Sequence, residues 1–252
     1  MEFEFDAQVV KAGDFSFELY GNVSENRDEV LRLAQDAAGN DINLDNSYYT
    51  TRVGYPQGQF YLRTWGGVDP ADGRPYYIVG GDHRDGPVSE EVTYSLFSAE
   101  QTVQGLRLPP IQGGLGLRLK WKQLSLDGNL MFQTGHKVFE RWAWYTMASG
   151  LRSVRTFAGD ARLMDRWQKP GDITDVPKMV YTSGSTLAGS GTSSRFLYDG
   201  DFMRVRDITL NYTLPRKAVE AIGFNSVNFF VKGLNLFTSV SYTHLTLPTS
   251  PK

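Results

Sequence analysis

The chain has 252 residues, with 26 Lys plus Arg against 28 Asp plus Glu and a formal net charge of -2, a balance that gives no electrostatic footprint for nucleic acid. Hydrophobic residues at 40% and charged residues at 21% exclude compositional disorder. With no cysteine there is no disulfide framework and no thiolate metal site, and no run of about 18 apolar residues reads as a membrane helix.

No basic stretch followed by an apolar stretch marks a signal peptide at the N-terminus. Met1 leads straight into Glu2-Phe3-Glu4-Phe5, which already alternates like a strand and suggests a fragment. Six segments carry the period-two alternation of β-strands. The first covers about Glu2 to Val10, with Phe3, Phe5, Ala7 and Val9 on one face and Glu2, Glu4, Asp6 and Gln8 on the other. After a turn at Lys11-Ala12-Gly13-Asp14, the second covers about Phe15 to Ser24, where Phe15, Phe17, Leu19 and Val23 oppose Ser16, Glu18, Tyr20 and Asn22. The third covers about Ile111 to Lys122, with Leu115, Leu117, Leu119 and Trp121 against Gly116, Arg118 and Lys120. A tight turn near Lys122-Gln123 leads to the fourth, where Leu124, Leu126, Leu130 and Phe132 oppose Ser125, Asp127, Asn129 and Gln133.

The fifth strand covers about Asp201 to Leu214. Met203 and Val205 lie on the opposite parity from Ile208, Leu210 and Tyr212, and one extra residue near Arg206-Asp207 brings both sets to one face, as a β-bulge does. The sixth covers about Ser226 to Phe237, with Val227, Phe229 and Val231 against Asn228 and Lys232.

Connections alternate strictly between short (Lys11 to Asp14, Lys122-Gln123, Pro215 to Gly223) and long (Glu25 to Pro110, Gly135 to Gly200). Up-and-down outer-membrane barrels have this asymmetry of short turns and long outer loops, whereas structureless connections beyond about 15 residues are uncommon in compact domains. Within the long segments, Glu25 to Ala37 reads as a short helix with Ser24 as N-cap. Gln59 to Trp65 with Arg74 to Val79 reads as an extra hairpin, and Lys137 to Ser149 and Asp160 to Gln168 read as helical. Gly184 to Ser194, rich in Gly, Ser and Thr, reads as a mobile loop.

A two-faced strand packs on a second sheet in a sandwich, or meets lipid outside and water inside in a porin-like barrel. Both remain open on periodicity alone: one reading is a membrane barrel wall, the other a soluble or surface-exposed glycan-binding β domain. Because lipid forbids open edges and the smallest barrels have about eight strands, six strands need further chain to close.

Residues with chemical potential are few. His83, His136 and His244 share no metal spacing. Asp69, Asp72, Asp82 and Asp85 lack the terminal Glu of a calcium loop and read as a solvated loop. The Gly-Ser runs between Gly184 and Gly191 lack the Lys and helix of a phosphate loop. Trp142, Trp144, Tyr145 and Trp167 suit sugar stacking and equally suit a loop core or an interfacial girdle. No catalytic, cofactor-binding, metal or individual substrate-binding residue is assigned, and the chain reads as a non-enzyme with no cofactor.

Several segments, in order, resemble the SusC/RagA family of TonB-dependent outer-membrane transporters. The run Ser193-Ser194-Arg195-Phe196-Leu197-Tyr198-Asp199-Gly200-Asp201-Phe202-Met203-Arg204-Val205-Arg206-Asp207-Ile208-Thr209-Leu210-Asn211-Tyr212-Thr213-Leu214-Pro215 is similar to a late-barrel stretch of that family. Val231-Lys232-Gly233-Leu234-Asn235-Leu236-Phe237-Thr238 is similar to the strand after it. Upstream, Val53-Gly54-Tyr55-Pro56-Gln57-Gly58-Gln59-Phe60-Tyr61, Gly67-Val68-Asp69-Pro70, and Arg166-Trp167 with Thr174-Asp175-Val176-Pro177 resemble further family elements. The resemblance implies an all-β fold: a part, six or more strands, of a large antiparallel transmembrane β-barrel of about 22 strands, with long, partly helical extracellular loops. It also implies a plug and a TonB-contacting segment N-terminal to this sequence. A SusD-like lipoprotein lid and import of oligosaccharides or peptides across the outer membrane of Bacteroidota complete the implied picture. The resemblance covers residues 1–238; residues 239–252, from Ser239 to Lys252, resemble translated sequencing-adapter sequence and are read as a non-native tail.

Overall fold

The computed structural model describes residues 1–80, 91–148, 158–180, 189–221 and 223–241. These fall into two units, one of Met1–Arg27, Leu108–His136 and Asp199–Lys252, the other of Asp28–Arg107 and Lys137–Tyr198.

The first unit is a six-stranded antiparallel sheet in which every strand pairs with its sequence neighbours. The strands are Glu2–Ala12, Phe15–Glu25, Ile111–Trp121, Leu124–Thr134, Phe202–Thr213 and Asn228–Val240, called the first to sixth strands below. Two turns are as short as a hairpin allows: Ala12 pairs with Phe15, with Gly13 at φ 56, and Trp121 pairs with Leu124, with Lys122 at φ 53. Lys122 therefore belongs to the turn and not to the third strand. The third short connection holds a helix, Arg216–Ala221. It starts just after Pro215, buries Val219 and carries an i,i+4 pair from Arg216 to Glu220 at 2.7 Å.

The expected bulge in the fifth strand is present. Val205 pairs with Leu130 and Asp207 with Asn129, leaving Arg206 over, so Met203, Val205, Ile208, Leu210 and Tyr212 share one face. A second bulge falls in the first strand, where Gln8 pairs with Glu18 and Val10 with Phe17. Val10 and Ala12 thereby continue the face of Phe3, Phe5 and Ala7. Ser239 and Val240 extend the sixth strand opposite Met203 and Phe202.

The second unit is organised on the strand Gln59–Val68, flanked by Tyr49–Thr50, Pro75–Ile78 and Gln101–Gly105, with Val92–Thr93 beyond. The expected hairpin is thus formed. Its core is conventional: Phe60, Leu62, Tyr77, Ala143, Leu163 and Phe196 are buried. Under the sheet, Gln104 Nε2 donates to Thr64 Oγ1 at 2.9 Å and Thr102 Oγ1 at 2.6 Å, so these buried polar groups are satisfied.

The loops hold less helix than the sequence predicts. Residues 26–34 form no helix: Val30 N–H donates to Tyr55 O, Gly54 N–H to Val30 O and Gln57 N–H to Asp28 Oδ2, and Leu31 stays 82% exposed. An amphipathic stretch with no core to receive its apolar side does not hold a short helix. Ser24, its expected cap, lies inside the second strand. Among the described residues of the segment from Lys137 to Ser149, only Arg141–Thr146 is helical, and Lys137–Phe139 is a strand. Asp160 to Gln168 shrinks to a 3-10 turn over Ala161–Asp165, capped by Asp160.

Candidate functional site

In the first unit burial is inverted. Side chains of the apolar face, such as Phe3 at 60%, Trp121 at 59% and Val231 at 73%, are exposed. The register aligns four aromatics on this face at the short-turn end: Phe15 opposes Trp121, Trp121 opposes Leu124, Leu124 opposes Tyr212 and Tyr212 opposes Phe229. A row of rings across one level of an uncovered apolar face has the form of an interfacial girdle. An eleven-residue strand such as Ile111–Trp121 is about 34 Å long, and at a tilt of about 40° it rises about 26 Å, close to the ~25 Å apolar band of barrel proteins.

The opposite face is polar and cross-linked. Arg118 on the third strand donates to Glu18 on the second and to Asp127 on the fourth, both at 2.9 Å. Tyr20 Oη donates to Asn129 Oδ1 at 2.8 Å, Asn129 Nδ2 donates to Asp207 Oδ1 at 3.1 Å, and Lys232 Nζ lies 3.7 Å from that carboxylate. The Tyr20–Asn129 bond leaps the third strand, which Gly116 permits: a Cβ at Gly116 would collide with the Tyr20 ring. Tyr20, Asn129, Asp207 and Lys232 line a groove of about 770 Å³ that also holds Asn22, Gln112 and Gln133. Neutral amides and a phenol share this groove with carboxylates at Glu2, Glu4, Asp6 and Asp207 and with the cations Arg206 and Lys232, a polar surface suited to a polar solute.

In the second unit the loop motifs lock onto one another. Ser194 Oγ accepts from Trp65 N–H at 3.0 Å. The Arg195 guanidinium sits 5.0 Å from the Trp65 ring centroid and 4.8 Å from that of Phe196 and donates to Gly189 O at 3.0 Å. Burial lowers the Arg195 pKa to about 10 and pushes the Tyr77 phenol up to about 12. Arg162 donates to both Glu140 and Asp160, at 2.9 Å and 2.8 Å; these bonds hold Arg162 above, and Asp160 below, their usual ranges. Trp167 Nε1 donates to Pro70 O at 3.0 Å, and its ring covers Gly73.

Trp144 packs against the loop core, its Nε1 donating to Ser190 O at 2.6 Å, while half-buried Trp167 lies over the turn at Gly73. Trp142 is 71% exposed on the outer side of its helix, beside Tyr145. Asp69 and Asp72 accept from Ala71 and Arg74 backbone N–H groups, so their oxygens shape turns. His136 is buried, and burial lowers its pKa against an opposing pull from Asp201. Among the described residues no cluster could hold a metal. His83, His244, Asp82, Asp85 and residues 184–188 lie outside the described residues. Ser190 and Ser193, in the stretch read as mobile, are fully buried. The aromatic row and the Tyr20–Asn129 link were missed because both need cross-strand register.

No family model matches the sequence. The chain is 23% identical to TonB-dependent receptor P3 of Formosa agariphila across 96% of its own length and 24% of the relative's. It is 22% identical to TonB-dependent receptor P26 of the same organism, over 93% and 24%. The likeness is to TonB-dependent receptors. The receptor-like chain therefore spans about a quarter of the length of the curated relatives it matches. Its fold matches a solved structure of the RagAB peptide transporter with a TM-score of 0.76 and 24% identity, over 96% of this chain and 25% of that one. The RagAB peptide importer in its open-open state matches with a TM-score of 0.73 and 22% identity, over the same shares.

Proposed function

We propose that the six-stranded sheet is a section of the wall of an outer-membrane, TonB-dependent importer of the SusC/RagA kind. The observation that carries the reading is the uncovered apolar face with its aligned ring row, set back to back with a cross-linked polar face. A sandwich would cover that apolar face with a second sheet, and none of the described residues of the sheet's own unit does so. In the whole protein the wall closes at about 22 strands around a plug, the loop unit faces the cell exterior, and a SusD-like lipoprotein caps the entrance. The cargo is an oligosaccharide or peptide, energy comes through TonB, and the segment is a non-catalytic part of the conduit. The names of the relatives, all receptors, transporters or importers, support this class of activity.

The test is membrane partition of the full-length receptor expressed in a Gram-negative host. Recovery in the outer-membrane fraction, extracted only by detergent and shifted in electrophoretic mobility by heating, is the expected result. Recovery as a soluble monomer without detergent would overturn it.

A further inference from the structure

Two donors inside the loop unit lack an acceptor. Tyr77 is fully buried, and its Oη has no hydrogen-bond partner among the described residues. Arg195 Nη2 is equally sealed from solvent and equally unpaired. Both side chains lean on one indole. The Arg195 guanidinium carbon lies 5.0 Å from the Trp65 ring centroid, and the Tyr77 ring meets Trp65 edge-on at 5.6 Å between centroids. Among the described residues nothing negative bonds the guanidinium. Its side-chain hydrogen bond runs from Nη1 to the neutral Gly189 O at 3.0 Å. Asp175, a carboxylate that acts on its charge, is exposed and forms no ion pair with it. The charges that act on the Tyr77 phenol are Arg195 and Arg63, both cations, and Arg63 is held in place by its Nε donating to Ala99 O at 3.1 Å. At neutral pH the guanidinium keeps its proton. A buried charge without a partner is strongly destabilising, and each sealed donor left unpaired adds its own desolvation penalty.

We infer that Arg195 Nη2 and the Tyr77 hydroxyl hold a small monovalent anion, chloride in size and charge, inside the loop unit beside Trp65. A water molecule accepts both bonds, but it leaves the positive charge uncompensated and needs acceptors for its own two hydrogens. A halide accepts and never donates, which matches two donors, and its charge offsets the guanidinium. A carboxylate or phosphate ligand is too large for an interior closed by Trp65, Phe196 and Gly189, where a Cβ at Gly189 would already stand 2.8 Å from Arg195 Nη1. The anion site draws on three separate stretches of chain: Trp65 in Gln59–Val68, Tyr77 in Pro75–Ile78 and Arg195 in the 3-10 turn Ser194–Phe196. No residue of the six-stranded sheet takes part, so the site stands apart from the wall reading. An ion bound by the folded loop unit and not by the unfolded one makes the order of that unit depend on halide concentration.

Limited proteolysis of the full-length receptor, in sodium chloride against sodium gluconate at equal ionic strength, tests this. The expected result is loop-unit cleavage about tenfold slower once chloride exceeds its dissociation constant about tenfold. Bromide is expected to replace chloride, and the heat shift of the barrel to be the same in every salt. Tyr77→Phe removes one donor and is expected to raise the chloride midpoint about tenfold. Arg195→Met removes the charge and is expected to abolish the difference between the salts. Crystals of the unaltered receptor grown in bromide are expected to show an anomalous peak within bonding distance of Arg195 Nη2 and Tyr77 Oη, a readout that holds even where Arg195→Met does not fold. Equal cleavage of the unaltered receptor in chloride and gluconate overturns the site. So does a water at that position with no anomalous signal, or a salt difference that persists in Arg195→Met.

Discussion

The two units solve the same packing problem in opposite ways. In the loop unit Phe60, Leu62, Tyr77 and Phe196 are buried, and Arg162 is paired with Glu140 and Asp160. In the sheet the large apolar side chains are the exposed ones, while Tyr20, Asn129 and Asp207 knit together on the other side. The loop unit holds itself by its own hydrophobic core. The sheet lacks one, and its apolar face is stabilised only by an apolar environment. The difference teaches that the sheet's stability belongs to its surroundings, and substitutions should separate the two regions cleanly.

The largest effect is expected in the loop unit at Arg162, which answers two partly buried carboxylates. Arg162→Ala strands both and should cost about 3–5 kcal/mol, read as loss of the loop unit's protection in proteolysis of the full-length receptor while the barrel's heat shift persists. Next, Leu117→Arg places a charge midway along the outer face, where Leu117 sits between Leu19 and Gly128. It should cost about 2–4 kcal/mol in lipid, measured by urea unfolding from vesicles. Arg118→Leu, one residue away on the polar side, should cost under about 1 kcal/mol because its pairs are solvated; equal costs would dissolve the distinction between the faces. Third, Gly116→Val should evict the Tyr20 ring and break its bond to Asn129 for about 1–2 kcal/mol, visible as a lowered unfolding midpoint that Tyr20→Ala does not lower further.

The pH response sharpens the same contrast. Hydrogen bonds from Arg162 hold the Asp160 carboxyl below its usual range, so the stability they contribute is present above the unfolded value. It is lost as pH falls through and below that range, under about pH 4. Loop-unit proteolysis should accelerate there in the native receptor and be insensitive to that pH step in Asp160→Asn. The smallest effect is at Lys122, a non-glycine residue at φ 53: Lys122→Gly should change stability by less than about 1 kcal/mol, as relief of the left-handed strain offsets the gain in unfolded-state entropy.

Much of the wall was legible in the chain. Alternation of Phe3, Phe5 and Ala7 against Glu4 and Asp6, and the parity slip at Arg206, are statements about neighbours two residues apart, and a strand's pleat obeys them locally. So did the alternation of short and long connections and the order of the resembling segments. The loops were less legible. The helix expected from Glu25 to Ala37 failed for want of a core to lie on, and the Gly- and Ser-rich stretch before Arg195 ends in buried serines, tied to distant residues by Trp144 Nε1 donating to Ser190 O and Trp65 N–H donating to Ser194 Oγ. The row of Phe15, Trp121, Tyr212 and Phe229 and the leap from Tyr20 to Asn129 over Gly116 depend on which residue stands opposite which. Local pattern determined what each strand is; register between residues as far apart as Tyr20 and Asn129, together with the partner each buried group found, was decided only in the tertiary structure, because those free energies come from contacts that no short window of sequence contains.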